Sequence, residues 1–497
     1  MSSKENSVNK DKFFLLKVWC GVYNWGMTLN KNTLTLVLLL INVTVLAGEI
    51  GKRIEKVVVQ SKVPKADLSM MITLLDGQKS ETIFDLNSTE KKIPASITKI
   101  TTAATTLDQF PPGHKFKTVL AIDPDKIDSD GTYGGDLYIR GGGDPSFVSE
   151  NMWFLVNQFE RNQIKKIKGS IVVDDSLFDS VRFDESRQEN RVDRAYDAPV
   201  GAMSFNWNSI NIFVRPAPSE KRPKVFLDPD VGLFTVENKA TQGDGDKSEI
   251  FVERKGTQII VSGSIGKKSK EFVAYKNVED PGDWTGRNLK LFLKQRNILV
   301  DGGVKSGVMP KTAKIISEYE SKPIEGILAD MNKFSNNYVA EMLTKNISLN
   351  GDDSGAVVGN LQKGMAKINE YLARVKIDKN QFYLVNPSGL TRENKMSARA
   401  MTHLLEIIHK DFKIFPEFLV SLPISGVDGT LKKRMKNEPA ERWVRAKTGY
   451  LTNVVSLAGY AGRADGQIYQ FAFIFNGAVD ETRIRNFFDK IMNTLIE

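Results

Sequence analysis

Hydrophobic positions along this chain follow two periods, and the places where the period changes divide it. Leu68–Leu75 and Glu81–Leu86 read as two strands joined around Asp76-Gly77, a hairpin turn signal. Pro94 and Ala95 then open a helical run in which Ile97, Ile100, Ala103, Ala104 and Leu107 recur at helical spacing. From about residue 118 to 317 the pattern is one of short strands and frequent glycines, with Gln242–Lys247 as a loop tip. Helical periodicity returns at Trp284–Gln295 and Ile324–Leu343, then at Gly359–Arg374 and Ser397–His409. Thr448–Ala461 and Ile468–Phe475 read as paired strands turning around Ala464-Asp465-Gly466. A closing helix places Ile484, Phe487, Phe488, Ile491 and Leu495 on one face.

The order is strands, helix, long insert, helices, strands, helix. It predicts one α/β domain built from both ends of the chain, residues 48–117 plus 318–497. Residues 118–317 form a β-rich insert, divisible into two modules with the second at about 212–275. A length of 497 residues agrees with two or three domains.

Residues 1–47 read as a targeting segment. Leu34–Leu46 is a 13-residue apolar run, short for a membrane span but suited to a signal-peptide core, with small residues for cleavage after Ala47. Met27 offers an alternative start, and retention of the segment as an anchor is the other reading. The expected location is the cell envelope or periplasm, membrane-associated if the segment is kept. The only cysteine, Cys20, lies upstream of that cleavage point, so the mature chain has no disulfide or thiol chemistry. The net charge of +9 becomes +6 without the segment, and it is spread rather than clustered. This implies a solvated basic surface, or peripheral attraction to an anionic polymer or membrane. No arginine–aromatic pattern points to nucleic acid.

Candidate chemistry centres on Ser96 and Lys99. Residues i and i+3 share a helix face, so the hydroxyl and the amine can meet, and a lysine in a dry pocket can act as base. Ser7/Lys10, Ser88/Lys91 and Ser264/Lys267 repeat the spacing but lie in charged or glycine-rich stretches. The three histidines, His114, His403 and His409, are scattered. Gly141–Asp144 lacks the lysine of a phosphate loop, and Asp174-Asp175 lacks further ligands, so both read as turns and no metal or cofactor is expected.

Two more elements follow in order: Ser335-Asn336-Asn337 and Lys447-Thr448-Gly449. Ser-x-Asn also occurs at Ser7, Ser204, Ser209 and Ser348, whereas Lys-Thr-Gly occurs once. The three together are the motif set of penicillin-binding proteins and serine β-lactamases. In that chemistry Ser96 is the nucleophile and Lys99 the general base. Ser335 relays a proton, Asn337 orients substrate and Lys99, and Lys447 supplies a cation. Thr448 holds a substrate carboxylate, and Gly449 lets substrate lie against the strand. Ser96 N–H and an N–H just past the triplet, at Leu451 or Thr452, are expected as the oxyanion hole.

Beyond the motifs, the blocks GDLYIRGGGDPSF, IVVDDSLFDS, YDAPVGAMSFNWNSINIFVRP, NPSGLTREN and LPISGVDGTLKKRM resemble the low-molecular-weight class C penicillin-binding proteins. The resemblance to this D-alanyl-D-alanine carboxypeptidase/endopeptidase family covers nearly everything from about residue 68 onward. It implies a penicillin-recognising serine transferase core, an antiparallel sheet flanked by helices, with one or two inserted β-rich domains. The separation of roughly 240 residues between Ser96 and Ser335 suits it, as accessory domains lie there. It implies peptidoglycan stem peptides as substrate and β-lactams as inhibitors. It also implies that Arg392 binds a side-chain carboxylate of the stem peptide. The family's acid before YDAP is replaced by Arg191, with Asp193 two residues on as a substitute, and Tyr450 stands where a small hydroxyl residue is commoner, with Thr452 nearby. The alternatives are a non-catalytic peptidoglycan-binding scaffold and a β-lactamase or esterase on the same core. The long gap and the lack of a deacylating glutamate loop disfavour the latter.

Overall fold

A computed structural model describes residues 48–76, 79–190, 192–350 and 358–497. The chain divides into two compact units, residues 1–53 and 54–497. Of the first, only 48–53 are described, and they are helical. The targeting segment, Gly77 and Arg191 therefore lie outside the described residues. No described helix is long and apolar enough to cross a membrane.

The second unit holds a five-stranded antiparallel sheet made from the two ends of the chain. Strands β1 (Leu68–Asp76) and β2 (Lys79–Leu86) form the expected hairpin. Three late strands complete it: β3 (Val444–Leu451), β4 (Val454–Gly462) and β5 (Ile468–Asn476). The order is β2-β1-β5-β4-β3, and Leu68 lies opposite Phe475. Where one strand was expected over Thr448–Ala461 there are two. Thr452 and Asn453 form a tight turn, with Asn453 at φ +62°. Asparagine tolerates that left-handed conformation, but the apolar residues on either side conceal the turn in a pattern reading.

Helices cover both faces of this sheet, which is why β5 is almost continuously apolar rather than alternating. In chain order those used below are α1 (Lys99–Gln109), α2 (Ile324–Lys333), α3 (Asn337–Leu349), α4 (Ala398–Lys410) and α5 (Glu481–Ile496). The single helix expected over Ile324–Leu343 is two. Phe334–Asn336 interrupt it, Ser335 has φ +55°, and Asn336 caps α3 by accepting a hydrogen bond from Val339 N–H at 3.2 Å.

Between α1 and α2 lie further sheets. Lys117–Ile122 and Lys314–Glu320 pair antiparallel within a five-stranded sheet that also takes in Leu137–Arg140, Ile171–Asp174 and Val304–Ser306. Smaller sheets span residues 209–277, among them the hairpin of Ser248–Lys255 with Gln258–Gly266. Among the described residues, one hydrophobic cluster draws on residues 97–116 and 324–474 and another on 120–173 and 203–298. The segment between, residues 175–202, leaves the second core and returns Phe178, Ala198, Val200 and Ala202 to the first.

Candidate active site

Ser96 sits on a bend rather than on a regular helix. Ala95 has φ +49°, residues Ala95–Thr98 form a 3-10 turn, and α1 begins only at Lys99. Left-handed backbone costs a non-glycine residue about 1–2 kcal/mol, so the surroundings hold this bend in place. Lys99 is fully buried. Its Nζ donates to Asn337 Oδ1 at 2.7 Å and to Ser388 O at 2.6 Å, and stands 3.2 Å from Ser96 Oγ. Burial, then the charge of Lys447, drives the Lys99 amine well below the ordinary lysine range.

The break between α2 and α3 brings in the second element. Ser335 Oγ accepts from Lys447 Nζ at 2.8 Å, and that same amine donates to Thr448 O at 2.7 Å. Burial pushes Lys447 down to about 7. Asn337 opens α3, bridging from Lys99 to Tyr196 O, to which its Nδ2 donates at 3.1 Å. Ser96, Lys99, Ser335, Asn337 and Lys447 thus form one linked cluster drawn from a turn, two helix starts and a strand.

Gly449 has a reason within the protein itself. A Cβ on it would fall 2.8 Å from Pro94 O and 3.0 Å from Ser96 N, and would collide with Ser456 Oγ. The close neighbour is the protein's own nucleophile turn. Ser456 Oγ–H meanwhile donates to Pro94 O at 2.6 Å, tying β4 to the same turn.

The expected oxyanion donor moves as well. β3 is a sheet edge, and Ala446 N–H donates outward across it to Pro423 O. Alternation along an antiparallel strand then turns Thr448 and Tyr450 N–H outward and Leu451 N–H inward to β4. The open donor beside Ser96 is therefore Tyr450 N–H, and Thr452 lies in the turn beyond. The Tyr450 side chain turns away from the cluster. Its hydroxyl donates to Glu481 at 3.0 Å, and Arg485 lies over its ring at 4.8 Å, both from α5.

The two outlying candidates differ. Arg392 is exposed and donates to Thr452 O at 2.6 Å, so it stands at the end of β3. Asp193 is engaged elsewhere, accepting from buried Lys276 at 2.5 Å and from Arg254 N–H at 2.8 Å.

Pattern reading missed several members. Ser388 O is aimed at Lys99 by an Asn386 turn, whose Oδ1 accepts from Ser388 N–H at 3.0 Å and Gly389 N–H at 2.8 Å. The Asn-Pro-Ser-Gly string signals a turn but not which carbonyl it presents. Glu341, one helical turn past Asn337, is buried behind Lys99 near the ion pair of Arg187 with Asp197. Burial, then Asp184, raises its carboxyl to about 8. An acid in the otherwise apolar YVAEML run was the available sign. Among the described residues no group of three or more His, Cys, Asp or Glu is placed to hold a metal ion.

Known proteins share this architecture. The chain is similar to a D-alanyl-D-alanine carboxypeptidase of Actinomadura sp. (strain R39), 28% identical over 425 residues, spanning 82% of this chain and 77% of that one. It is 26% identical over 408 residues to the D-alanyl-D-alanine carboxypeptidase DacB of Haemophilus influenzae, covering 80% and 83%. The crystal structure of penicillin binding protein 4 (dacB) from Haemophilus influenzae superposes with a TM-score of 0.74 at 22% identity, over 89% of this chain and 99% of that one. The same protein has been solved with a β-lactam, at a TM-score of 0.69. The family described as D-Ala-D-Ala carboxypeptidase 3 (S13) matches residues 50–496, nearly the whole described chain. With its serine–lysine centre and its two-ended sheet, this chain belongs to that family of serine peptidases.

Proposed function

We propose that this protein is a serine D-alanyl-D-alanine carboxypeptidase and D,D-endopeptidase that works on peptidoglycan through an acyl-enzyme on Ser96. The observation that carries the reading is the surroundings of Lys99 Nζ. A neutral amine has two hydrogens and one lone pair. Asn337 Oδ1 and Ser388 O take the hydrogens, which leaves the lone pair facing Ser96 Oγ at 3.2 Å. Lys99 can then accept the Ser96 proton as Oγ attacks the carbonyl of the penultimate D-alanine. Ser96 N–H and Tyr450 N–H are the donors for the oxyanion.

The leaving amine takes its proton through Ser335, which Lys447 holds at 2.8 Å. Lys447 and the Thr448 hydroxyl receive the terminal carboxylate of the substrate, and that bound anion favours the charged form of Lys447. Water then resolves the acyl-enzyme. In a crosslink the leaving D-centre also carries a free carboxylate, so the same pocket serves endopeptidase cleavage. Arg392, beside the mouth, is the proposed partner of a side-chain carboxylate in the stem peptide. Lys276 and Arg254 N–H both hold Asp193 Oδ2, so a substrate ammonium would share this carboxylate with Lys276. Residues 118–317 serve as accessory structure, and residues 1–47 direct export to the envelope.

The test is labelled penicillin with peptide mapping. An adduct on Ser96 that disappears in Ser96→Ala supports the mechanism; equal labelling of both proteins overturns it. Muropeptide digestion separates the activities, since crosslinked dimers that persist while pentapeptides shorten refute the endopeptidase half.

A further inference from the structure

The loop over residues 424–431 is held firmly beside the cluster. Asp428 accepts from Lys333 Nζ at 2.5 Å and from Ile424 N–H at 2.9 Å. Gly429 has φ +53°, and a Cβ there would lie 2.6 Å from Lys333 O. Lys333 closes α2, two residues ahead of Ser335, so these contacts fix the loop to the Ser335 segment. What the fixed loop presents is the exposed side chain of Thr430, whose Oγ1 lies 2.8 Å from Thr448 Oγ1.

Two hydroxyls bonded to each other use one proton between them and keep one to give away. In the free site Thr448 Oγ1 donates to Thr430 Oγ1. When a carboxylate takes the Thr448 proton, Thr430 turns to donate to Thr448, so each hydroxyl polarises the other and the Thr448 oxygen keeps its place. The bond is not needed to hold the loop, which Asp428 and Gly429 already anchor. We propose that Thr430 is a positioning residue that fixes the Thr448 hydroxyl for a substrate's free terminal carboxylate. This makes the enzyme selective for peptides ending in that group. The inference rests on the function proposed above, and it assigns to the LPISGVDGTLKKRM block a part in substrate selection.

The experiment is a double-mutant cycle on the full protein. Thr430→Val keeps the side-chain shape without the hydroxyl, Thr430→Ser restores it, and Thr448→Val removes the partner. Acylation efficiency with benzylpenicillin, whose carboxylate stands for that of the substrate, is measured for each, with kcat and KM on a peptide ending in D-Ala-D-Ala. Thr430→Val should lose about 2–12-fold, the size expected for one hydrogen bond between neutral hydroxyls, and chiefly through KM. Thr430→Ser should recover most of it, and the double Val variant should be no worse than Thr448→Val alone. Melting temperatures should not move. Wild-type efficiency in Thr430→Val, multiplied losses in the double variant, or no recovery by serine overturns the proposal. If Thr430→Val does not fold, Thr430→Ala enters the same cycle. Should the wild-type protein take no penicillin, the proposed function fails first and carries this inference down with it.

Discussion

Replacing Gly449 by alanine tests how the nucleophile is held. The added Cβ lies 2.8 Å from Pro94 O and 3.0 Å from Ser96 N, where an ordinary contact needs about 3.4 Å or more. The Pro94–Ser96 turn must therefore retreat by about half an ångström. Ser456 Oγ must also swing aside and give up its 2.6 Å hydrogen bond to Pro94 O. Overpacking and a lost buried hydrogen bond each cost about 1–3 kcal/mol, so destabilisation of about 2–4 kcal/mol is expected after partial relaxation. A 1 Å misplacement of reacting groups costs on the order of 100-fold in rate, so half of that predicts about a tenfold slower acylation. Penicillin labelling kinetics and thermal unfolding measure the two effects separately. In Gly449→Ala/Ser456→Ala the collision with Oγ is gone but the contacts with Pro94 and Ser96 remain. Stability should partly return while acylation stays slow. Labelling of Gly449→Ala within twofold of wild type would refute the view that this glycine exists to let β3 approach the nucleophile turn.

Lys99→Met should lower acylation by about 10²–10⁴-fold, the usual worth of a positioned base, without loss of fold as judged by circular dichroism. In the wild type, acylation should climb with pH as Lys99 sheds its proton and level off well below the ordinary lysine value of 10.5; a climb that continues to pH 10 contradicts the burial argument. Lys447 is protonated in the native state only up to about 7 but in the unfolded chain up to 10.5, so stability should rise with pH across that window, and Lys447→Met should flatten the rise in pH-dependent melting scans. Glu341 gives the opposite slope. Its native carboxyl keeps its proton to about 8, while the unfolded one loses it near 4.5, so native stability falls between those values. Glu341→Gln should melt above wild type at pH 8–9, with the gap closing toward pH 5. Arg392→Ala should weaken cleavage of stem peptides bearing a free side-chain carboxylate by about tenfold and leave penicillin labelling unchanged, the size of one charge-assisted hydrogen bond.

The parts of the site visible in the sequence are those in which side-chain identity carries the chemistry. Ser96, Lys99, Ser335, Asn337 and Lys447 are recognisable by type and order, and the structure brings them together. What stayed hidden is set by backbone. Ser388 and Tyr196 contribute carbonyls, which every residue has. The outward donor of β3 depends on strand parity, which only a fixed pairing partner such as Pro423 reveals. Turns cut by a single left-handed residue, at Ser335 and Asn453, disappear inside apolar runs. Periodicity found most helices within a few residues, most directly those such as α5 that bury one long face. It could not show that residues 175–202 rejoin the first core, because four buried side chains leave no period.

The sheet order has a consequence for how such a protein comes into being. β1 has β5 as its inner neighbour, and Leu68 waits for Phe475. On the ribosome or in a translocation channel, the nucleophile turn emerges long before β3, which must pack against it. Until then Lys99 has no fixed Ser335–Lys447 pair alongside, and β1 has one edge open. Pairings so distant in sequence form slowly, because loop closure precedes any gain from contact. Hydrolytic competence is thus delayed until late synthesis, and once Lys117–Ile122 has paired with Lys314–Glu320 the residues between them hold the two halves of the sheet within reach.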